Sequence, residues 1–120
     1  MLTKDIEDLA PIPVADYSRL REILHPDRDP VDIRYSLAHA LIHRGETSLR
    51  HRMATVEVYY FLEGTGTMHV AGEAVDVGPG QTVVVPAGAE QWVENTGDHD
   101  LCFLCIVDPA WQVDDEEVLE

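Results

Sequence analysis

From Val31 onward the chain is cut into short extended runs by glycine and proline, and this punctuation constrains the fold more than any other feature. Thr55 to Leu62 (TVEVYYFL) and Leu101 to Val107 (LCFLCIV) are the strongest runs, rich in β-branched and aromatic side chains that suit a pleated surface. Gly45, Gly64-Thr65-Gly66, Gly72, Gly78-Pro79-Gly80, Pro86-Ala87-Gly88 and Gly97 fall between the runs. Strands recurring at roughly 8–12-residue intervals, with a turn between each pair, predict an all-β sandwich or barrel. The 120 residues suffice for one such domain with its own core and are too few for two.

Residues 1–30 read differently. They carry Pro11, Pro13, Pro26 and Pro30, and Leu20, Ile23 and Leu24 fall at helical spacing behind Ser18 or Asp16 as a cap. The expected organisation is an N-terminal arm with a short helix over Ser18 to Leu24 (1–30), a barrel (31–109) and an acidic tail (110–120). The tail's run of carboxylates reads as a solvated end with at most one helical turn.

Charge narrows the partners. Lys plus Arg is 8 against 23 for Asp plus Glu, a formal charge of −15. Such a surface repels phosphate backbones and anionic lipid, so neither nucleic acid nor membrane is expected as a partner. No apolar run reaches membrane-spanning length, and the first residues lack a basic-then-apolar leader pattern, so a cytoplasmic protein is expected. The acidic composition with a single lysine also fits a salty cytoplasm. Cys102 and Cys105 lie three apart on a predicted strand. They would point to opposite faces about 10 Å apart along it, too far for a disulfide, and read as small buried hydrophobes.

Some strands are apolar on both faces. Leu101, Phe103, Cys105 and Val107 share one face of their run, and Cys102, Leu104 and Ile106 share the other. A doubly apolar wall needs a cover, so the arm is expected over part of it and a second copy over the rest, making a homodimer.

Parity collects polar groups on the opposite side of the wall. His51 and Met53 face the same way; Glu57, Tyr59 and Phe61 share a face; so do Gln91, Val93 and Asn95. Converging, they would place an imidazole, a thioether, a carboxylate and an amide in one interior. His51, Glu57 and the weaker amide oxygen of Gln91 are expected as ligands of one divalent metal ion (Zn, Fe, Mn or Ni). Glu57 is the candidate catalytic residue, moving a proton. His39, Met53, Tyr59, Phe61 and Val93 are expected to line a small-molecule pocket. A metal-free alternative stands beside this reading: Glu57 hydrogen-bonded to His51 or Gln91, with Met53 filling space. Arg50 and Arg52 alternate against His51 and should point outward, Trp92 has the wrong parity for the pocket, and His69 and His99 sit by turns in solvent.

Two spaced segments carry a resemblance. They are Gly45-x5-His51-x-Met53-x3-Glu57-x6-Gly64 and Gly80-x5-Pro86-x-Gly88-x2-Gln91-x3-Asn95. The pair resembles the two motifs of the cupin superfamily, with the framework Gly, Pro and Asn positions all matched. The resemblance implies a double-stranded β-helix, or jelly-roll barrel, with four metal positions at His51, Met53, Glu57 and Gln91. Two of the family's histidines are thereby replaced, by Met53 and Gln91, so it implies a pocket with a degenerate metal site. Further likeness, in Glu57-x-Tyr59-Tyr60 and Pro109-Ala110-Trp111, is to the mannose-6-phosphate-isomerase-like branch. That likeness implies, as the alternative, a metal-dependent isomerase of a sugar or sugar phosphate, or a dioxygenase.

Overall fold

A computed structural model describes residues 1–13 and 18–120. Its strands, in chain order, are β1 (Ile12–Pro13), β2 (Arg19–Leu24), β3 (Ser36–Ile42), β4 (His51–Met53), β5 (Val56–Glu63), β6 (Gly66–Val70), β7 (Glu73–Val77), β8 (Thr82–Val85), β9 (Glu90–Asn95), β10 (Leu101–Asp108) and β11 (Glu116–Val118). They form two sheets, ordered β1-β2-β3-β10-β5-β8 and β11-β4-β9-β6-β7. Each neighbouring pair is antiparallel. This is the all-β, two-sheet arrangement of a jelly-roll barrel, as the turn punctuation predicts. Among the described residues no helix is long and apolar enough to cross a membrane.

Alternation along each strand builds the core. Glu57, Tyr59 and Phe61 on β5 point inward while Val56, Tyr60 and Leu62 are exposed. Leu101, Phe103, Cys105 and Val107 on β10 point inward beside them. Ile42, Phe61, Met68, Val93 and Leu101 are fully enclosed, each contributing about 1.5–3 kcal/mol by leaving water. The rings of Tyr59, Phe61 and Phe103 pack together with centroids 5.2 to 6.0 Å apart. This cluster fills the middle of the barrel. At the β5–β6 turn Gly64 sits at φ +82° against the Asp100 carbonyl, where a side chain would collide with backbone.

The termini differ from expectation. Arg19–Leu24 is a strand, not a helix, paired with β3 in the register Arg19↔Leu41 and Leu20↔Ala40. Six residues make too short a helix to stand alone, whereas the open edge of β3 offers a ladder of backbone partners. Ser18 is buried instead of capping a helix, and Asp16 lies outside the described residues. The arm's helical turn is a 3-10 turn at Ile6–Asp8, where the Asp5 carboxylate accepts from the Glu7 N–H. The arm therefore extends the sheet at its edge, with Arg21 donating to the Leu9 carbonyl and Lys4 to the Ile23 carbonyl.

The tail is not simply solvated. After a 3-10 turn at Val113–Asp115, β11 pairs with β4, setting Glu116 against Met53 and Val118 against His51. Arg50 and Arg52 flank that edge and reach Glu120 and Glu117. An unpaired edge next to two guanidinium groups gives an acidic segment a reason to become a strand.

Candidate functional site

A cavity of about 320 Å³ opens inside the barrel at the end where both terminal segments cross it. Its hollow has a local cause. Along the cavity the inward face of β3 carries Ser36, Ala38 and Ala40, and these small side chains leave space against Tyr59, Phe103, Cys105 and Val107. Leu20 and Glu22 of β2 wall one side, and Trp111, Val113 and Glu116 wall another. His51 and Met53 on β4 and Glu57 on β5 complete the lining.

The polar centre is a chain of three side chains. Gln91 is wholly buried. Its Nε2 donates to Glu57 Oε1 at 3.1 Å, and its Oε1 accepts from the Tyr59 hydroxyl. A carboxylate only accepts, so the amide nitrogen must face Glu57, and the amide's orientation is fixed. His51 lies opposite Gln91 in the β4–β9 pairing. Its Nδ1 is 3.0 Å from the Leu49 carbonyl, which also only accepts. Nδ1 therefore carries a hydrogen, so Nε2 is the nitrogen at which the ring can accept or bind.

The structure thus brings His51, Glu57 and Gln91 into one interior, with Met53 and Tyr59 beside them. It does not bring in the other expected pocket residues. His39 belongs to the opposite face of β3, between Arg21 and Leu104 of the neighbouring strands. Its Nδ1 is buried without a hydrogen-bond partner. Burial, and then Arg21, hold its imidazole below the usual histidine pKa, while Glu63 pulls the other way. Phe61 and Val93 have inward parity but do not line the cavity; they belong to the packed core next to it. Trp92 stacks on His69 with centroids 4.2 Å apart, away from the cavity. His69 is half-buried and meets Glu94 at 2.5 Å instead of standing in water. Asn95 spans Ile42 and His99, donating to both carbonyls, and staples turns together.

Trp111, Ser36, Glu22 and Glu116 line the cavity and were not among the expected site residues. The small-residue parity Ser36-x-Ala38-x-Ala40 is a legible signal for a hollow. Glu116 is hidden in an acidic run that looks solvated.

The donor set does not fit a four-ligand metal centre. Both ends of the Gln91 amide are engaged, and Met53 offers a soft thioether. That leaves the His51 Nε2, the Glu57 carboxylate and the second lone pair of Gln91 Oε1, one ligand short of four. Among the described residues no three His, Cys, Asp or Glu side chains converge to hold a metal.

The sequence profile of the family described as cupin domain matches residues 38–107. The chain belongs to the cupin family. An uncharacterized protein of Methanocaldococcus jannaschii is 33% identical to this cupin over 121 residues, covering 100% of the chain and 96% of that protein. The 5-nitrosalicylic acid 1,2-dioxygenase of a Bradyrhizobium species is 37% identical over 70 residues, covering 58% of this chain. The cupin spans only 34% of that enzyme's length. Among solved structures, the polyketide cyclase RemF from Streptomyces resistomycificus superposes with a TM-score of 0.81 at 18% identity, over 100% of this chain and 86% of that one. This last likeness is one of fold.

Proposed function

We propose that this cupin binds a small organic molecule in the barrel cavity, with Glu57 and His51 placed to hold or move a proton on it. The Gln91 amide carries this reading. It stands where the family's fourth ligand would be, and it ties Glu57 to Tyr59 instead of leaving both free to meet a metal. The carboxylate of Glu57 and the Nε2 lone pair of His51 are then two proton acceptors on one cavity wall. The binding unit is the barrel of residues 31–109 together with both flanking segments, since each contributes to the lining.

The metal-dependent alternative, an isomerase or a dioxygenase, would have to draw on a Gln91 amide already held by Glu57 and Tyr59. A sugar phosphate, as the mannose-6-phosphate-isomerase-like label would imply, finds neither Lys nor Arg among the described lining residues. Elemental analysis of protein purified without added metal separates the readings. Metal far below one ion per chain, with ligand binding intact, supports the cavity as described. One ion per chain, lost on His51→Ala, would replace it with the metal enzyme.

The protein is further proposed to be a homodimer. Val58, Tyr60, Val84, Leu104 and Ile106 sit on the outer face of the larger sheet, with Tyr60 and Val84 exposed. Light scattering on the purified chain tests it, and a single-chain mass would reject it. Cys102 and Cys105 are thiols, which accords with a reducing cytoplasm as the compartment.

A further inference from the structure

Resting on the cavity being a ligand site, we infer that it takes an uncharged phenol, an aromatic ring whose hydroxyl donates to His51 Nε2. His51 is 3% exposed and lines the cavity, so its ring meets that space and not bulk water. The Leu49 carbonyl accepts from Nδ1, and among the described residues no donor reaches Nε2. A buried acceptor without a donor costs free energy that a ligand hydroxyl recovers. The carboxylates on the wall, by contrast, already accept from the protein. Gln91 donates to Glu57, the Trp111 indole N–H to Glu116, and Arg28 to Glu22. His51 is therefore where an entering hydroxyl finds an open acceptor.

Charge, surface and size narrow the ligand further. Neither Lys nor Arg is among the described lining residues, so a carboxylate or phosphate would leave water with no guanidinium or ammonium group to receive it. Most of the remaining wall is carbon. Tyr59, Phe103 and Trp111 give aromatic surface of the kind that packs on a ring, and Leu20, Met53 and Val107 give aliphatic surface. One open acceptor in such a wall fixes a ligand's orientation without demanding charge. Among uncharged donors a phenolic hydroxyl, with a pKa of about 10, is more acidic than an aliphatic one and donates more strongly. The 320 Å³ cavity is about twice the roughly 150 Å³ void that holds a benzene molecule, enough for one ring and a short chain.

Calorimetric titration of the purified chain with phenol, anisole and benzoate at neutral pH tests this. Anisole keeps the ring and the oxygen but has no hydroxyl proton to donate. Phenol is expected to bind about tenfold more tightly than anisole, the equivalent of one buried hydrogen bond, with benzoate silent. His51→Leu should bring phenol down to the level of anisole. Where that variant fails to fold, nitrogen NMR of the parent protein reads the same contact: phenol should move the His51 Nε2 resonance further than anisole does. Equal affinity for phenol and anisole, benzoate binding as tightly as phenol, a phenol preference that survives in folded His51→Leu, or an Nε2 resonance moved no further by phenol than by anisole would overturn the ligand class while sparing the cavity as a ligand site. Silence from all three probes would remove the ligand site itself, and the ligand class with it.

Discussion

At the scale of single residues, Gln91 decides what the barrel interior can do. A buried amide has two donors and an acceptor to satisfy, and here it meets Glu57 on one side and Tyr59 on the other. Gln91→Leu keeps the bulk and removes both bonds. It should destabilise the fold by about 2–4 kcal/mol in chemical denaturation, since two buried polar groups each lose a partner. The double variant Met53→His with Gln91→His should instead supply three imidazoles and one carboxylate. Stoichiometric zinc by elemental analysis is the expected result, and no zinc would mean that the barrel cannot close around a metal at these positions. His39 governs a separate, pH-dependent effect. Its folded-state pKa is lowered by burial and by Arg21, so the unfolded chain binds the proton more readily. The stability it contributes is complete above about pH 6.5, the unfolded value, and is lost as pH falls from there toward the folded value. Melting temperature measured from about pH 7.5 downward should therefore fall more steeply in the parent than in His39→Leu. Parallel curves would show that the His39 imidazole has no such influence.

At the scale of elements, closeness of backbone packing makes some turns and strands intolerant of change. A Cβ on Gly66, the first residue of β6, would overlap the Glu94 carbonyl oxygen of the adjacent β9 and crowd Leu101. On Gly78 it would meet nothing nearer than 3.8 Å. Gly66→Ala should cost about 1–3 kcal/mol by forcing β6 from β9, and Gly78→Ala should be close to neutral, both read by thermal denaturation. The same contrast explains what the sequence makes legible. Thr55 to Leu62 and Leu101 to Val107 announce themselves as strands because their own side chains prefer a pleated sheet, and alternation assigns Glu57 and Tyr59 to the inside. Arg19–Leu24 and Glu116–Val118 are strands for a different reason: each completes an open edge, on β3 and β4. Nothing in Leu20, Ile23 and Leu24 separates one helical turn from an edge strand, and nothing in Glu116-Glu117 announces a partner. Parity also gives an inward direction without depth. It could not separate Tyr59, on the cavity wall, from Phe61, two residues along in the packed core.

At the scale of the whole molecule, the surplus of negative charge competes with the ion pairs that hold the terminal strands. Arg50 meets Glu90 and Glu120, Arg52 meets Glu117, and Lys4 meets Asp29. Surface pairs of this kind contribute about 0–1 kcal/mol each, and salt weakens them. The remaining carboxylates repel one another across a body whose radius of gyration is 13.7 Å. At low salt the Debye length is about 30 Å and the whole surface feels that repulsion; at about 0.15 M it is about 8 Å and only near neighbours do. Screening should therefore remove more repulsion than attraction, because charges of one sign are in excess at every distance beyond contact. The melting temperature is expected to rise as sodium chloride is raised from about 0.01 M to about 0.15 M. A fall over the same range would mean that the clasp of Arg50 and Arg52 on the last strand outweighs the net charge. Since that strand carries Glu116 to the cavity, ligand binding should then weaken along with the fold.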